Sequence, residues 1–141
     1  MINKDGLGFL LADVTRQMRR AFEKRFADSF LTMAQARVLV YVARQEGMRQ
    51  IDLAYLLDVQ PITLTRLIDQ LVDGGVVERR SDPTDRRAHL LYLLPAAKAH
   101  LKSIEQVTKS IREEALGELT ERQVTDLFAM LQKMRDNLST H

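Results

Sequence analysis

One feature constrains this chain more than any other: the apolar spacing changes character twice within residues 49–94. Ile51, Leu53, Ala54, Leu56 and Leu57 are the apolar positions of a short helix. Asp58-Val59-Gln60 then interrupts the pattern. Pro61 fits the first turn of a second helix, where a missing N–H costs nothing. On that helix Leu64, Leu67, Ile68 and Leu71 recur at helical spacing, so one face is buried. The opposite face carries Thr63, Arg66 and Gln70, with Ile62 and Thr65 near its leading edge. Gly74-Gly75 ends the helix, because glycine adopts the left-handed conformation after a helix without steric penalty. Beyond it, residues 76–80 and 88–94 have strand composition, and the seven residues between them are rich in turn formers. Two short helices joined by a tight turn, with a charged-tip hairpin directly after, predict a winged helix-turn-helix. The combination is much more specific than either half.

Such a unit places its second helix in the DNA major groove. Thr63 and Thr65 are short hydrogen-bonding side chains near the start of that helix, although Thr63 reads equally well as a helix cap. Pro61 and Ile62 can make apolar contact with a thymine methyl, Gln70 can pair with adenine, and Arg66 with guanine or a phosphate. At the hairpin tip, Asp85 stands two residues from Arg87. Its carboxylate is expected to brace a guanidinium, leaving one of Arg86 and Arg87 free to enter a minor groove. Net charge argues less clearly. The whole chain carries +2, but residues 49–94 alone carry −1, with their positive charge at Arg49, Arg66, Arg79-Arg80 and Arg86-Arg87. Affinity for DNA must then come from locally placed arginines and helix N-termini. The mild acidity favours an alternative, a winged helix used for protein–protein contact.

The run DVQPITLTRLIDQLVDGGVVERRSDPTDRRAHLLYL resembles the MarR family of bacterial transcription regulators. The matching pieces are Thr65-Arg66 with Asp69 and Leu71 behind them, the stop at Gly75, and Asp82-Pro83 followed by Asp85-Arg86-Arg87. Leu31-Thr32-Met33-Ala34-Gln35 is similar to the family's entry to its second helix. Where the family usually has a Thr and, three residues on, a Gly after the second wing strand, this chain has Pro95 and Lys98. The resemblance implies a cytoplasmic homodimer that binds a pseudo-palindromic double-stranded operator, with Arg66 on a phosphate and Arg87 as the wing arginine. It further implies repression relieved by a small aromatic or anionic effector bound between the dimer helices and the DNA module. Met18, Phe22, Tyr41 and Tyr55 are candidates to line that pocket, although aromatic and Met positions at helical spacing also read as plain core.

The flanking segments are helical. Leu7, Leu10, Leu11, Val14, Met18, Ala21, Phe22 and Phe26 predict a first helix over about residues 6–27, whose other face, from Arg16 to Arg25, is a solvated basic stripe. Thr32 and Gln35 form a capping-box pattern before Val38, Leu39 and Val42, and Gly47 closes that helix. After the hairpin, Pro95 can begin a helix along Ala97, Leu101, Ile104, Ile111 and Ala115. A second capping box, Thr120 to Gln123, precedes a stripe from Val124 to Leu138. These faces exceed what a 141-residue monomer can cover, so a second copy is expected to pack on them. The expected architecture is mainly α (α+β): a single domain over residues 1–141, with DNA-binding region 32–94 and dimerisation helices 1–31 and 95–141.

Other functions find little support. No apolar run approaches the roughly 18 residues a membrane helix needs, and residues 1–8 lack a secretory pattern. Zero cysteine excludes disulfides and thiolate chemistry. There is no glycine-rich phosphate loop, and His89, His100 and His141 lack ligand-like spacing. No enzyme activity, metal or cofactor is expected.

Overall fold

The computed structural model describes residues 2–139, so the expectations for Met1 and His141 lie outside it. Among the described residues the order is α1 (Leu7–Arg25), α2 (Met33–Arg44), β1 (Met48–Arg49), α3 (Gln50–Leu57), α4 (Pro61–Asp73), β2 (Val77–Asp82), β3 (Asp85–Leu93), α5 (Ala97–Leu116) and α6 (Glu121–Ser139). The fold is mainly helical with one small antiparallel sheet, the winged helix arrangement.

Both helices of the central unit end the same way. After α4, Gly75 sits at φ +74. Its N–H donates to Val72 O at 3.0 Å, and that of Val76 to Leu71 O at 3.1 Å. This paired closure, with buried Val76 over buried Leu71, is a Schellman motif. The left-handed residue is therefore Gly75, while Gly74 keeps right-handed angles. After α3 the equivalent bonds run from Asp58 N to Tyr55 O (3.2 Å) and from Val59 N to Ala54 O (3.1 Å). Here Asp58, not glycine, takes the left-handed turn at φ 57.

The hairpin is longer than its composition suggests. Residues 81, 82 and 85–87, read as turn, belong to β2 and β3, and Pro83-Thr84 alone makes the turn. A third strand, β1, pairs Met48 with Leu91 and Arg49 with Leu90, giving sheet order β1-β3-β2. Two residues carry no readable period, which is why β1 was not legible. Gly47 leads into that strand rather than closing α2. Its N–H donates to Leu91 O at 2.8 Å, at φ +86, and a side chain there would meet the Tyr92 hydroxyl.

The core lies where α2, α3, α4 and the sheet meet. Leu39, Leu53, Leu64, Ile68, Leu71, Val77 and Leu91 are fully buried, and α5 adds Ala97 and Ile104. On α3 the apolar stripe is narrower than expected: Leu53, Ala54 and Leu57 are buried, whereas Ile51 and Leu56 are exposed. Both predicted capping boxes form, at Thr32–Gln35 and at Thr120–Gln123. α1 packs on α5, with Arg25 bonded to Ser110 and Glu114. Neither α1 nor α6 has a buried residue, and α6 makes only marginal contact with the other elements.

Candidate nucleic-acid interface

The buried positions Leu64, Ile68 and Leu71 orient α4 so that Ile62 and Arg66 stand at the middle of its outward face. Ile62 is 80% exposed, unusual for an aliphatic side chain on a packed helix. Pro61 takes the first helical position, and no side chain caps the helix start. The first N–H groups are therefore open to an external acceptor such as a phosphate.

The other predicted residues of α4 have local duties. Thr63 is half-buried. The Thr65 hydroxyl donates to Pro61 O at 2.9 Å and accepts from Gln50 Nε2 at 3.0 Å. Gln70 Oε1 accepts from Gln35 Nε2 at 2.8 Å, so the capping-box glutamine of α2 also holds the predicted adenine reader.

At the wing tip Asp85 does not brace a guanidinium. Its Oδ1 instead accepts the backbone N–H of Arg87 at 3.0 Å, because the carboxylate stem is short enough to favour the local Asx bond. Asp82 has the matching role on the other side of Pro83-Thr84. Its Oδ1 accepts from Thr84 N (2.9 Å) and Thr84 Oγ1 (2.8 Å), and its Oδ2 receives Arg49 Nη2 at 2.7 Å. These bonds, those from Thr84 first, hold the Asp82 carboxyl below its ordinary value despite its burial. The Asp-Pro-Thr order is an Asx-turn signature that could have revealed this role.

Pairing divides the six arginines of residues 49–94 into two groups. Arg49 is bound to Asp82, and Arg80 to Glu78 while lying 3.8 Å over the Tyr92 ring. Arg79 Nη2 meets Asp69 Oδ1 at 2.6 Å and Thr65 O at 3.3 Å, and its Nε donates to Gln50 Oε1 at 3.0 Å. Arg79, Gln50 and Asp69 thus lock β2 against α3 and α4. The guanidiniums of Arg66, Arg86 and Arg87 are exposed and have no partner among the described residues. The module's near-neutral charge conceals this division, because three carboxylates are consumed by three arginines that hold the fold. Between α4 and the wing lies a groove of about 290 Å³, to which Arg49, Pro61, Thr65, Asp85 and Arg87 contribute.

A second cavity, about 240 Å³, opens between α1, α2 and α5. Met18, Phe22 and Tyr41 line it, with Arg37, whose guanidinium lies 5.7 Å over the Tyr41 ring. Tyr55 is not among its lining residues. It is 88% exposed on α3, which contributes no residue to that cavity. Among the described residues no cluster of three or more His, Asp or Glu could hold a metal, and no helix is long and apolar enough to cross a membrane.

Fold and site together define a winged helix protein with an unpaired basic face on its second helix and wing. Residues 31–89 match the model of the MarR family. A MarR-family transcriptional regulator from Silicibacter pomeroyi superposes with TM-score 0.86 at 24% identity, over 99% of this chain and 95% of that one. Wild-type apo MarR from E. coli gives TM-score 0.79 at 28% identity, over 95% and 98%. A mutant MarR from E. coli complexed with operator DNA gives 0.73 at 29%, over 91% and 92%. The chain is thus similar to MarR-family regulators, in residues 31–89 by the family's own model and over nearly its whole length in fold.

Proposed function

We propose that this chain is a sequence-specific, double-stranded DNA-binding transcription regulator. It acts in the cytoplasm as a homodimer on a pseudo-palindromic operator. The observation that carries the reading is the division of arginines: Arg66 on α4 and Arg86 and Arg87 on the wing are exposed and unpaired on the elements that would meet a major and a minor groove. The similarity to a MarR complexed with operator DNA supports it. Residues 32–94 form the DNA-binding region. Within it Ile62 and Pro61 meet thymine methyls, Arg66 meets guanine or phosphate, Thr63 and the open helix start meet phosphate, and Arg86 and Arg87 enter the flanking minor groove. Thr65 and Gln70 reach DNA only by leaving their present partners.

Residues 1–31 and 95–141 supply the dimer. Leu7, Leu10, Val14, Phe128, Met130 and Leu138 are exposed on α1 and α6, and a second copy covers them. The cavity at Met18, Phe22 and Tyr41 accepts a small aromatic effector whose anionic group meets Arg37. At about 240 Å³ it is below the usual range for drug-sized ligands. Its occupancy changes the separation of the two recognition helices and relieves repression.

Selection of bound sequences from random duplexes tests the proposal. It should enrich a pseudo-palindrome with half-site centres about 34 Å apart along the axis. A pool that stays random through successive rounds contradicts it. The competing protein-contact reading draws on exposed Ile51, Tyr55 and Leu56 of α3. It requires that selection fail and that Tyr55→Ala abolish partner capture.

A further inference from the structure

We infer that Arg49 is a positioning residue for the wing, acting through Asp82, and not itself a DNA contact. The inference rests on the DNA-binding reading above.

The wing tip is poorly held by its own ladder. Between Ser81 and Asp82 the register jumps, since Ser81 faces His89 and Asp82 faces Asp85. Arg86, Arg87 and Ala88 are left with no cross-strand partner, so the two unpaired arginines ride on a bulge. Inside the tip, Asp82 bonds Thr84 and Asp85 bonds the Arg87 amide. Neither contact ties the tip to the rest of the molecule. Among the described residues the sole side-chain hydrogen bond or ion pair from residues 82–87 to an element outside the hairpin is Arg49 Nη2 to Asp82 Oδ2, at 2.7 Å.

The anchor for that bond is rigid. Arg49 lies in β1, paired with Leu90 of β3, and is also the N-cap residue of α3. Its side chain reaches past β3 to Asp82 on the far strand, in the sheet order β1-β3-β2. The wing tip is thereby fixed to the start of α3, which Gln50 and Arg79 lock in turn to α4. The span between Arg66 on α4 and the arginines of the wing is set by this chain of contacts. Asp82 is the only buried charged side chain among the described residues, at 7% exposure. The two Thr84 bonds occupy Oδ1, and Arg49 is the cation on Oδ2, so an Arg49 turned to a phosphate would leave this enclosed carboxylate without its ion pair.

The test uses the full chain and a duplex carrying the sequence selected by the wild type. Arg49→Gln and Asp82→Asn should each weaken binding about tenfold, with the double variant little worse than either, as for residues acting through one contact. Arg49→Lys should recover most of the loss. Hydroxyl-radical footprints should lose the flanking minor-groove protection while the major-groove protection remains. The slope of log affinity against log salt should be the same for Arg49→Gln as for Asp82→Asn. A slope shallower by about one unit per subunit in Arg49→Gln alone, with intact flanking protection, makes Arg49 a phosphate ligand and overturns the inference. Additive losses overturn it too. Amide hydrogen exchange without DNA separates this failure from failure of the DNA reading. The Thr84 and Arg87 amides should exchange faster in Arg49→Gln, and unchanged protection refutes the clamp whether or not DNA binds.

Discussion

Arg66 and Arg79 lie on or against the same helix yet should fail in opposite ways when truncated. Arg79 makes three links, to Gln50, Thr65 and Asp69, and its side chain is 23% exposed. A net hydrogen bond contributes about 0.5–1.5 kcal/mol. The partner Asp69 is more than half exposed, so its ion pair counts only as a surface one. Arg79→Ala should therefore cost about 1–3 kcal/mol of stability, lowering Tm by roughly 3–10 °C. Arg66 has no partner among the described residues, so Arg66→Ala should leave stability within about 0.5 kcal/mol of wild type. On the proposed function its cost falls on DNA binding. At about 1–3 kcal/mol per base contact and two copies per dimer, affinity should drop at least about thirtyfold. Melting by circular dichroism and anisotropy titration on the selected duplex measure the two effects. Equal losses of Tm in both variants, or unchanged affinity in Arg66→Ala, would refute the division of arginines into structural and DNA-facing groups.

Three further outcomes follow from the same contacts. Arg87→Ala, an exposed position, should keep its Tm and weaken operator binding at least about tenfold in a gel-shift titration at fixed salt. Asp58→Gly should raise stability by about 0.5–1 kcal/mol in denaturant titration, since Asp58 holds a left-handed conformation that glycine adopts without strain; a loss would contradict the assigned turn. The Asp82 carboxyl has its folded pKa depressed below the ordinary 3.8. Its contribution is thus fully present above that value and is lost as pH falls through the folded pKa. Exchange at the Thr84 amide should accordingly stay constant from pH 7 to pH 5 once corrected for intrinsic rates, then rise relative to the core below about pH 4, and Asp82→Asn should remove that rise.

How much of this was readable in the residues follows from the range of each interaction. Local devices were legible: Pro61 at a helix start, both capping boxes, and the period of Leu64, Ile68 and Leu71 all act within one or two turns. The Gly74-Gly75 stop was readable as a pair, but which glycine turns left depends on where α4 exhausts its hydrogen bonds. The two-residue strand β1 was invisible because it exists only through its pairing with β3. The candidate site was legible as a set of positions and not as a set of roles. Arg49 and Arg79 look identical in sequence to Arg66, Arg86 and Arg87, and only the tertiary placement of Asp82 and Asp69 separates them, whereas Arg80 has its carboxylate, Glu78, two residues away on the same strand. Likewise nothing near Gln70 in the chain announces Gln35, thirty-five residues away, as its partner. Met18, Phe22 and Tyr41 line the apolar cleft, whereas Tyr55 has the composition of a lining residue but sits on α3, which does not border it.

The salt dependence of operator binding tests the central claim most directly. In the proposed dimer, three unpaired guanidiniums from each of two subunits give six phosphate-neutralising groups, hence a slope of log affinity against log salt near −5, at about −0.9 per contact. The account predicts that value for the wild type and a slope of about −1 or shallower when Arg66, Arg86 and Arg87 are all alanine. A wild-type slope near zero, or a triple variant as steep as the wild type, would contradict it.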